Sequence, residues 1–318
     1  MSNRELSEAA RAALDRAEAD AAQAKSPATA RAYRADLADF RAFCAETGLA
    51  ALPATPETIS AFLSARAATH SHATLRRRLA AIGAAQRAAG FAWPPGNPVI
   101  RDTLRGIARR LPARSRPAGA LTTDLIRRLV ATCDTGMTGT RDRALLLTGF
   151  AGALRRAELV AIERSHVSFE SFGLRLFLPH SKTDQAGQGA EIGIPRGLKR
   201  DTCPVRALEE WLRLSECDFG PVFRRIDRWG GLDTHPLHPD AIRRILLRRA
   251  ALAGITMTGN ERLSPHGLRA GFITEAYHAG ARDEDIMQHT RHRSLTAMRR
   301  YVRRAKAVTD SPAQLLGL

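Results

Sequence analysis

Residues 112–119 read P-A-R-S-R-P-A-G. Two prolines, which lack a backbone donor, and a glycine make this octapeptide unfit for a helix interior or a central strand. It cuts a chain of 318 residues into a shorter part and a longer one. Few contacts cross such a segment in folded proteins, so two domains are expected rather than one. The expected division is a helical lead at 1–24, a helical domain at 25–111, the linker at 112–119, a larger domain at 120–306 and a tail at 307–318.

The part before the linker reads as all-helical. Ser26-Pro27 opens a helix, with Thr29 as its cap. Tyr33, Leu37, Phe40, Phe43 and Cys44 recur at steps of three and four, the period of an amphipathic helix. Gly48 closes it. T-P-E-T at 55–58 is a second helix start, and Ile59, Phe62 and Leu63 form its inner face. A third helix starts at Ser71 or Thr74 and carries Leu75, Leu79, Ile82 and Gln86. P-P-G-N-P at 94–98 is a turn, and a fourth helix runs from Val99 to Leu111.

Beyond the linker, helices alternate with one β patch. V-S-F-E-S-F-G-L-R-L-F-L (167–178) and A-E-I-G-I-P (190–195) read as two strands around the turn H-S-K-T-D-Q-A-G-Q-G. From Pro204 to the end the pattern is helical again. The expected fold class is therefore mainly α, with a small β-sheet in the second domain.

Lys and Arg number 49 against 32 Asp and Glu, a formal charge of +17. Such an excess says nothing about fold. It predicts attraction to a polyanion, nucleic acid first and an anionic membrane surface second. Cys44, Cys133, Cys203 and Cys217 lie far apart without a C-x-x-C pair, so neither a zinc site nor a redox dithiol is expected. The alanine-rich, charged start lacks the apolar core of a signal peptide. No apolar run reaches the roughly 18–20 residues of a membrane span. These features imply a soluble, cytoplasmic, nucleoid-associated protein without metal or cofactor.

Four constellations carry chemistry. In G-A-L-R-R-A-E-L (152–159), Arg155 and Glu158 share a helix face, as they would in an ordinary surface ion pair. Lys182 sits in S-K-T-D-Q, either as a solvated loop lysine or reaching into a cleft. In P-H-G-L-R (265–269), His266 and Arg269 pair a proton carrier with a two-pronged phosphate clamp, or a helix-capping histidine with a solvated arginine. In R-H-R-S-L-T-A-M-R-R-Y-V-R-R-A (291–305), Leu295, Met298 and Val302 form an apolar stripe. Tyr301 lies at its edge, nine positions after His292. A tyrosine there is either a core-margin residue or one held by packing with its hydroxyl outward. Taken together, the four suit one chemistry. A phenol can attack a phosphodiester and split one transfer into two steps. Arginines steady the charge on the phosphate oxygens, and a lysine or histidine protonates the leaving oxygen.

Arg155 in A-L-R-x-x-E-L, Lys182 in S-K-T-D, His266-x-x-Arg269 and His292 nine residues before Tyr301, in that order, resemble the tyrosine recombinase (phage integrase) family. The likeness covers about residues 26–305. It implies a two-domain, C-shaped DNA clamp, an α-helical core-binding domain plus an α+β catalytic domain. It also implies Arg155 and Arg269 as phosphate clamps, Lys182 as the acid toward the leaving 5′-hydroxyl, and His266 as an aid to proton handling. His292 would bond the phosphate, and Tyr301 would be the nucleophile that leaves a 3′-phosphotyrosyl link. Two positions depart from the family pattern. Arg291 stands where a glycine is usual, so a different local turn and an added DNA contact are expected there. Ala153 stands where a glycine usually precedes the Leu-Arg pair.

The implied partner is double-stranded DNA at a specific recombination site. The implied assembly is a tetramer on DNA, alone or with a second recombinase or accessory protein, with the tail packed on a neighbouring protomer. Arg76, Arg77 and Arg78 are expected to contact the DNA backbone. Arg299, Arg300, Arg303 and Arg304 are expected to be DNA-facing or solvated charge. The lack of an arm-binding domain before residue 26 favours an Xer-like or transposon type. Two other readings stay open: a DNA-binding protein without activity, and a type IB topoisomerase or telomere resolvase with the same chemistry.

Overall fold

The computed structural model describes residues 7–23, 26–93, 96–111, 116–179, 189–257 and 259–309. It separates into two compact units, Met1–Ser115 and Arg116–Leu318. Among the described residues, no helix is long and apolar enough to cross a membrane.

The first unit holds α1 (Glu8–Gln23), α2 (Pro27–Thr47), α3 (Pro56–Arg66), α4 (His72–Ala88) and α5 (Pro98–Arg110). Three of them start with proline, whose missing N–H costs nothing at a helix's first position. The Ser26 hydroxyl accepts the Thr29 amide, so the cap of α2 is Ser26 and not Thr29. Thr55, Ser71 and Asn97 cap the next three in the same way. Phe40, Phe43, Phe62, Leu63, Leu75, Ile82 and Ile100 form the core. Gln86 is buried with both ends of its amide bonded to the backbone of Ala54 (3.1 and 2.8 Å).

Arg78 was expected to face DNA beside Arg76 and Arg77, but it is buried. A helix turns by about 100° per residue, so three consecutive arginines cannot share one face. Arg78 points inward, bonds Asp39 and His70, and lies over the Phe62 ring. Arg76 and Arg77 stay exposed, and Arg77 also reaches Asp36 at 2.9 Å.

The second unit begins with α6 (Thr123–Ala131), α7 (Met137–Ala151) and the short α8 (Arg156–Val160). A three-stranded antiparallel sheet follows, β1 (Val167–Glu170), β2 (Gly173–Leu178) and β3 (Ala190–Pro195), in that spatial order. Residues 167–178 are thus a hairpin and not one strand. Gly173 lets β3 lie close against β2, because a Cβ there would strike the Ile194 carbonyl. Then come α9 (Pro204–Leu214), β4 (Arg224–Ile226), β5 (Leu232–Pro236), α10 (Pro239–Leu252), α11 (His266–His278), α12 (Asp283–Thr290) and α13 (Leu295–Thr309). The β4–β5 hairpin falls where only helix was expected. Its strands are short and polar, without apolar alternation. Its turn is held by Asp227, whose carboxylate accepts the Trp229 and Gly231 amides at 2.8 Å each.

Leu145, Leu146, Leu176, Ile194, Leu208, Trp211, Phe223 and Leu246 belong to one core that joins helices to sheet. Beside it, Asp142 is fully buried among three guanidiniums: Arg141 (2.8 Å), Arg248 (2.5 Å) and Arg249 (2.9 Å). This carboxylate ties α7 to α10. Breaking a buried ion pair by removing one partner strands the remaining charge at a cost of about 3–5 kcal/mol. Asp142→Asn is expected to lower stability by about that amount, measured by urea unfolding with tryptophan fluorescence. A change within the scatter of surface substitutions would show the network to be dispensable.

Candidate active site

The site starts where α7 ends. After Gly152 the chain takes a left-handed backbone at Ala153, φ 46°. This costs an L residue roughly 1–2 kcal/mol, where glycine would pass freely. The Ala153 carbonyl then accepts from Arg269 at 2.7 Å and from Arg291 at 3.4 Å. Arg155 follows as the N-cap of α8. Its amide donates to Glu158 Oε2 (2.8 Å) and its guanidinium to Oε1 (2.6 Å). The Glu158 side chain is only 4% exposed, so this is a built-in contact and not a surface ion pair.

His266 and Arg269 lie on the first turn of α11. Gly267 and Gly271 let that helix rest against residues 119–121, because a Cβ on either would collide with the Gly119 or Leu121 backbone. The Leu121 amide closes the contact on the Gly267 carbonyl at 3.0 Å. Arg269 is 1% exposed. It donates to the carbonyls of Ala153 and Thr290 and lies 3.3 Å from His292 Nδ1. Burial, together with Arg155 and Arg291 nearby, pushes its pKa down to about 9. It therefore remains a cation at neutral pH, held by the carbonyl oxygens of Ala153 and Thr290.

α12 ends at Arg291 in the left-handed region, φ 57° and ψ 44°. The expected change of turn does not occur: arginine makes the turn that a glycine would make. Nor does its side chain present an exposed DNA contact. It is 9% exposed and folds inward onto Glu158 (3.0 Å), the Ala153 carbonyl and the His289 carbonyl (3.1 Å). The turn aims His292 at the site, with Nδ1 2.7 Å from the Thr290 hydroxyl oxygen.

Tyr301 arrives on α13. Met298 and Val302 are buried against Ile273 of α11 and Ile286 of α12, with Tyr301 packed at the edge of that cluster. Leu295, expected in the same stripe, stays largely at the surface. Arg299, expected as DNA-facing or solvated charge, bonds Asp283 of α12 (2.8 and 2.6 Å) and pins α13 down. The Tyr301 hydroxyl oxygen lies 2.6 Å from His266 Nε2, and its ring centre 5.9 Å from that of His292. Five of the six expected catalytic positions, Arg155, Arg269, His266, His292 and Tyr301, thus lie in one contact network. Lys182 lies outside the described residues, as do the side chains of Arg303 and Arg304. Thr290 was missed in the sequence. Its only signal was a polar residue two places before His292, yet it is wholly buried and its carbonyl holds Arg269. Among the described residues, no three His, Cys, Asp or Glu side chains converge as metal ligands.

The charges decide the protonation states. Burial favours neutral Glu158, but Arg291 and Arg155 outweigh it and hold the carboxyl below its usual range. Burial, then Arg269, Arg155, His266 and Arg291, lower His292 to about 4. In an unfolded chain a histidine titrates near 6.5. As pH falls through the window from about 6.5 to about 4, the unfolded chain takes up a proton that folded His292 refuses, so stability is lost. Its contribution is fully present above about 6.5. Thermal unfolding between pH 7.5 and 4 is expected to fall more steeply for the wild type than for His292→Gln. Parallel curves would mean that His292 does not carry this dependence.

Residues 120–307, well over half of the chain, match the model of the phage integrase family, and residues 20–89 match that of the phage integrase N-terminal SAM-like domain. An integrase/recombinase XerD homolog of Selenomonas ruminantium is 34% identical over 294 residues, covering 91% of this chain and 85% of that protein. The fold matches XerH site-specific recombinase, solved as a post-cleavage complex bound to a palindromic difH substrate. The TM-score is 0.61 at 15% identity, over 88% of this chain and 80% of that one. It also matches a lambda integrase dimer (residues 75–356) bound to a core site, TM-score 0.58 at 19% identity, over 89% of this chain and 95% of that one. With its larger unit matched along nearly its whole length and its Arg, His and Tyr groups gathered in one network, the chain belongs to the phage integrase family, the tyrosine site-specific recombinases.

Proposed function

We propose that the protein cuts and rejoins double-stranded DNA at a specific recombination site through a 3′-phosphotyrosyl intermediate on Tyr301. The observation that carries this reading is the Tyr301 hydroxyl, 2.6 Å from His266 Nε2 in the same chain and beside the network of Arg155 and Arg269. In the first step the phenol oxygen bonds the scissile phosphorus and the bond from phosphorus to the 5′ oxygen breaks. The phenol proton passes to His266, whose Nε2 accepts it. The leaving 5′ oxygen takes a proton from Lys182, assigned on the S-K-T-D motif alone. Arg155 and Arg269 bind the non-bridging oxygens, where charge grows in the transition state. His292, neutral and beside Arg269, adds a hydrogen bond to the same phosphate.

The phosphodiester energy is kept in the tyrosyl link, and a free 5′-hydroxyl reverses the step on the exchanged strand. No nucleotide is needed for this, and the clustered guanidiniums supply the positive charge a metal would otherwise bring. Exchange between two sites requires four protomers, so the active assembly is a tetramer on DNA. Exposed Arg76 and Arg77 contact the sugar–phosphate backbone, which makes binding salt-dependent without specifying bases.

Trapping on a nicked duplex tests the reading. The short strand below the nick diffuses away after cleavage, so the link cannot reverse. The wild type is expected to leave an adduct that survives detergent. Binding without any adduct would favour a DNA-binding protein without activity.

A further inference from the structure

The usual roles in this site leave Arg291 without a task. Its backbone needs only to be left-handed, which glycine does at lower cost. An arginine there carries a strain of roughly 1–2 kcal/mol, so its side chain must offset that by what it touches. Its contacts are specific. One nitrogen lies 3.0 Å from Glu158 Oε2 and 3.4 Å from the Ala153 carbonyl, and the other donates to His289 at 3.1 Å. Glu158 is the group that holds Arg155, and the Ala153 carbonyl is one of two that hold Arg269. Arg291 therefore touches the support of each expected phosphate clamp while facing the interior itself.

We infer that Arg291 is a positioning residue of the strand-transfer site: it takes up part of the charge of buried Glu158 and so leaves Arg155 free to turn its remaining N–H groups to a phosphate. Without it, Glu158 has one guanidinium partner instead of two. The carboxylate then draws Arg155 into a tight pair, at 2.6 Å already, and away from the DNA. One carboxylate shared by two arginines, with a third arginine alongside, leaves the site positive and the clamps aligned.

The inference rests on the reading of Tyr301 as nucleophile, so its test has one arm with DNA and one without. In the first arm, a nicked duplex recovered by covalent selection with the wild type is presented to Arg291→Gly and Arg291→Lys. Glycine keeps the left-handed turn and removes the guanidinium. A misplaced clamp costs on the order of 100-fold. Arg291→Gly is expected to form the adduct about 100-fold more slowly, with DNA affinity little changed, and Arg291→Lys to recover part of the rate. In the second arm, inorganic phosphate is titrated into each protein and followed by the ring signals of His292. This needs neither a recombination site nor chemistry. Phosphate is expected to bind several-fold more weakly to Arg291→Gly than to the wild type, compared at a temperature where both are fully folded. Unchanged phosphate affinity in Arg291→Gly would overturn the inference, as would adduct formation at the wild-type rate. So would an equal fall in DNA affinity and cleavage. A wild type that binds phosphate as expected but never forms an adduct would instead overturn the Tyr301 reading and leave the placement of Arg291 supported by the second arm.

Discussion

Tyr301→Phe is expected to abolish covalent capture of DNA while leaving the protein folded and bound to its site. Phenylalanine keeps the ring that packs at the edge of the Met298 and Val302 cluster, so α13 stays in place. Only the hydroxyl is lost, and with it the oxygen proposed to bond phosphorus. A hydrogen bond is worth roughly 0.5–1.5 kcal/mol, so affinity should stay within about tenfold of the wild type. Binding by gel shift and adduct by denaturing gel separate the two effects. A detergent-stable adduct in the phenylalanine variant would remove Tyr301 from the mechanism.

Arg269→Ala carries the next largest effect. An arginine that stabilises a phosphoryl transition state contributes about 10³–10⁵ in rate. DNA affinity rests on many phosphate contacts, so it should change far less. Arg269 is also structural, since its loss leaves the Thr290 carbonyl without this donor and the Ala153 carbonyl with Arg291 alone at 3.4 Å. An unsatisfied buried group costs about 1–3 kcal/mol, so a lower melting temperature is expected alongside the loss of cleavage. Arg155→Ala separates the two contributions. Arg155 is partly exposed, at 21%, and its backbone amide still donates to Glu158 after truncation. It should lose cleavage to a similar degree with less loss of stability. If either variant lost binding and cleavage in equal measure, its arginine would be a positioning group and not a clamp on the transition state.

That Arg155, His266, Arg269, His292 and Tyr301 belong together was legible in the sequence because each stands in a short motif and their order and spacing resemble one family. The helical character of the first unit was legible for a similar reason. Phe40 and Phe43 on one helix, and Ile59 and Phe62 on the next, keep the helical period, and Ser26, Thr55 and Ser71 mark helix starts. What a charged residue does once folded was not legible. Arg291 and Glu158 are 133 positions apart, and Arg78 and Asp39 are 39 apart. Nothing local to either arginine announces that a buried carboxylate awaits it, so both read as surface charge. Thr290 was silent because its part in the site is played by its backbone carbonyl, which any residue possesses. The β4–β5 hairpin was silent because its residues lack apolar alternation and a side chain–backbone turn at Asp227 holds it together.

The central claim is that one phenol oxygen in this chain becomes bonded to the 3′ phosphate of cut DNA. Digesting the trapped adduct with protease and sequencing the nucleotide-bearing peptide by mass spectrometry tests it directly. The chain offers three tyrosines, Tyr33, Tyr277 and Tyr301. The account predicts a single modified peptide, with the nucleotide attached through its 3′ phosphate to Tyr301. A link at Tyr33, at Tyr277 or at any serine, or a link through a 5′ phosphate, would contradict it.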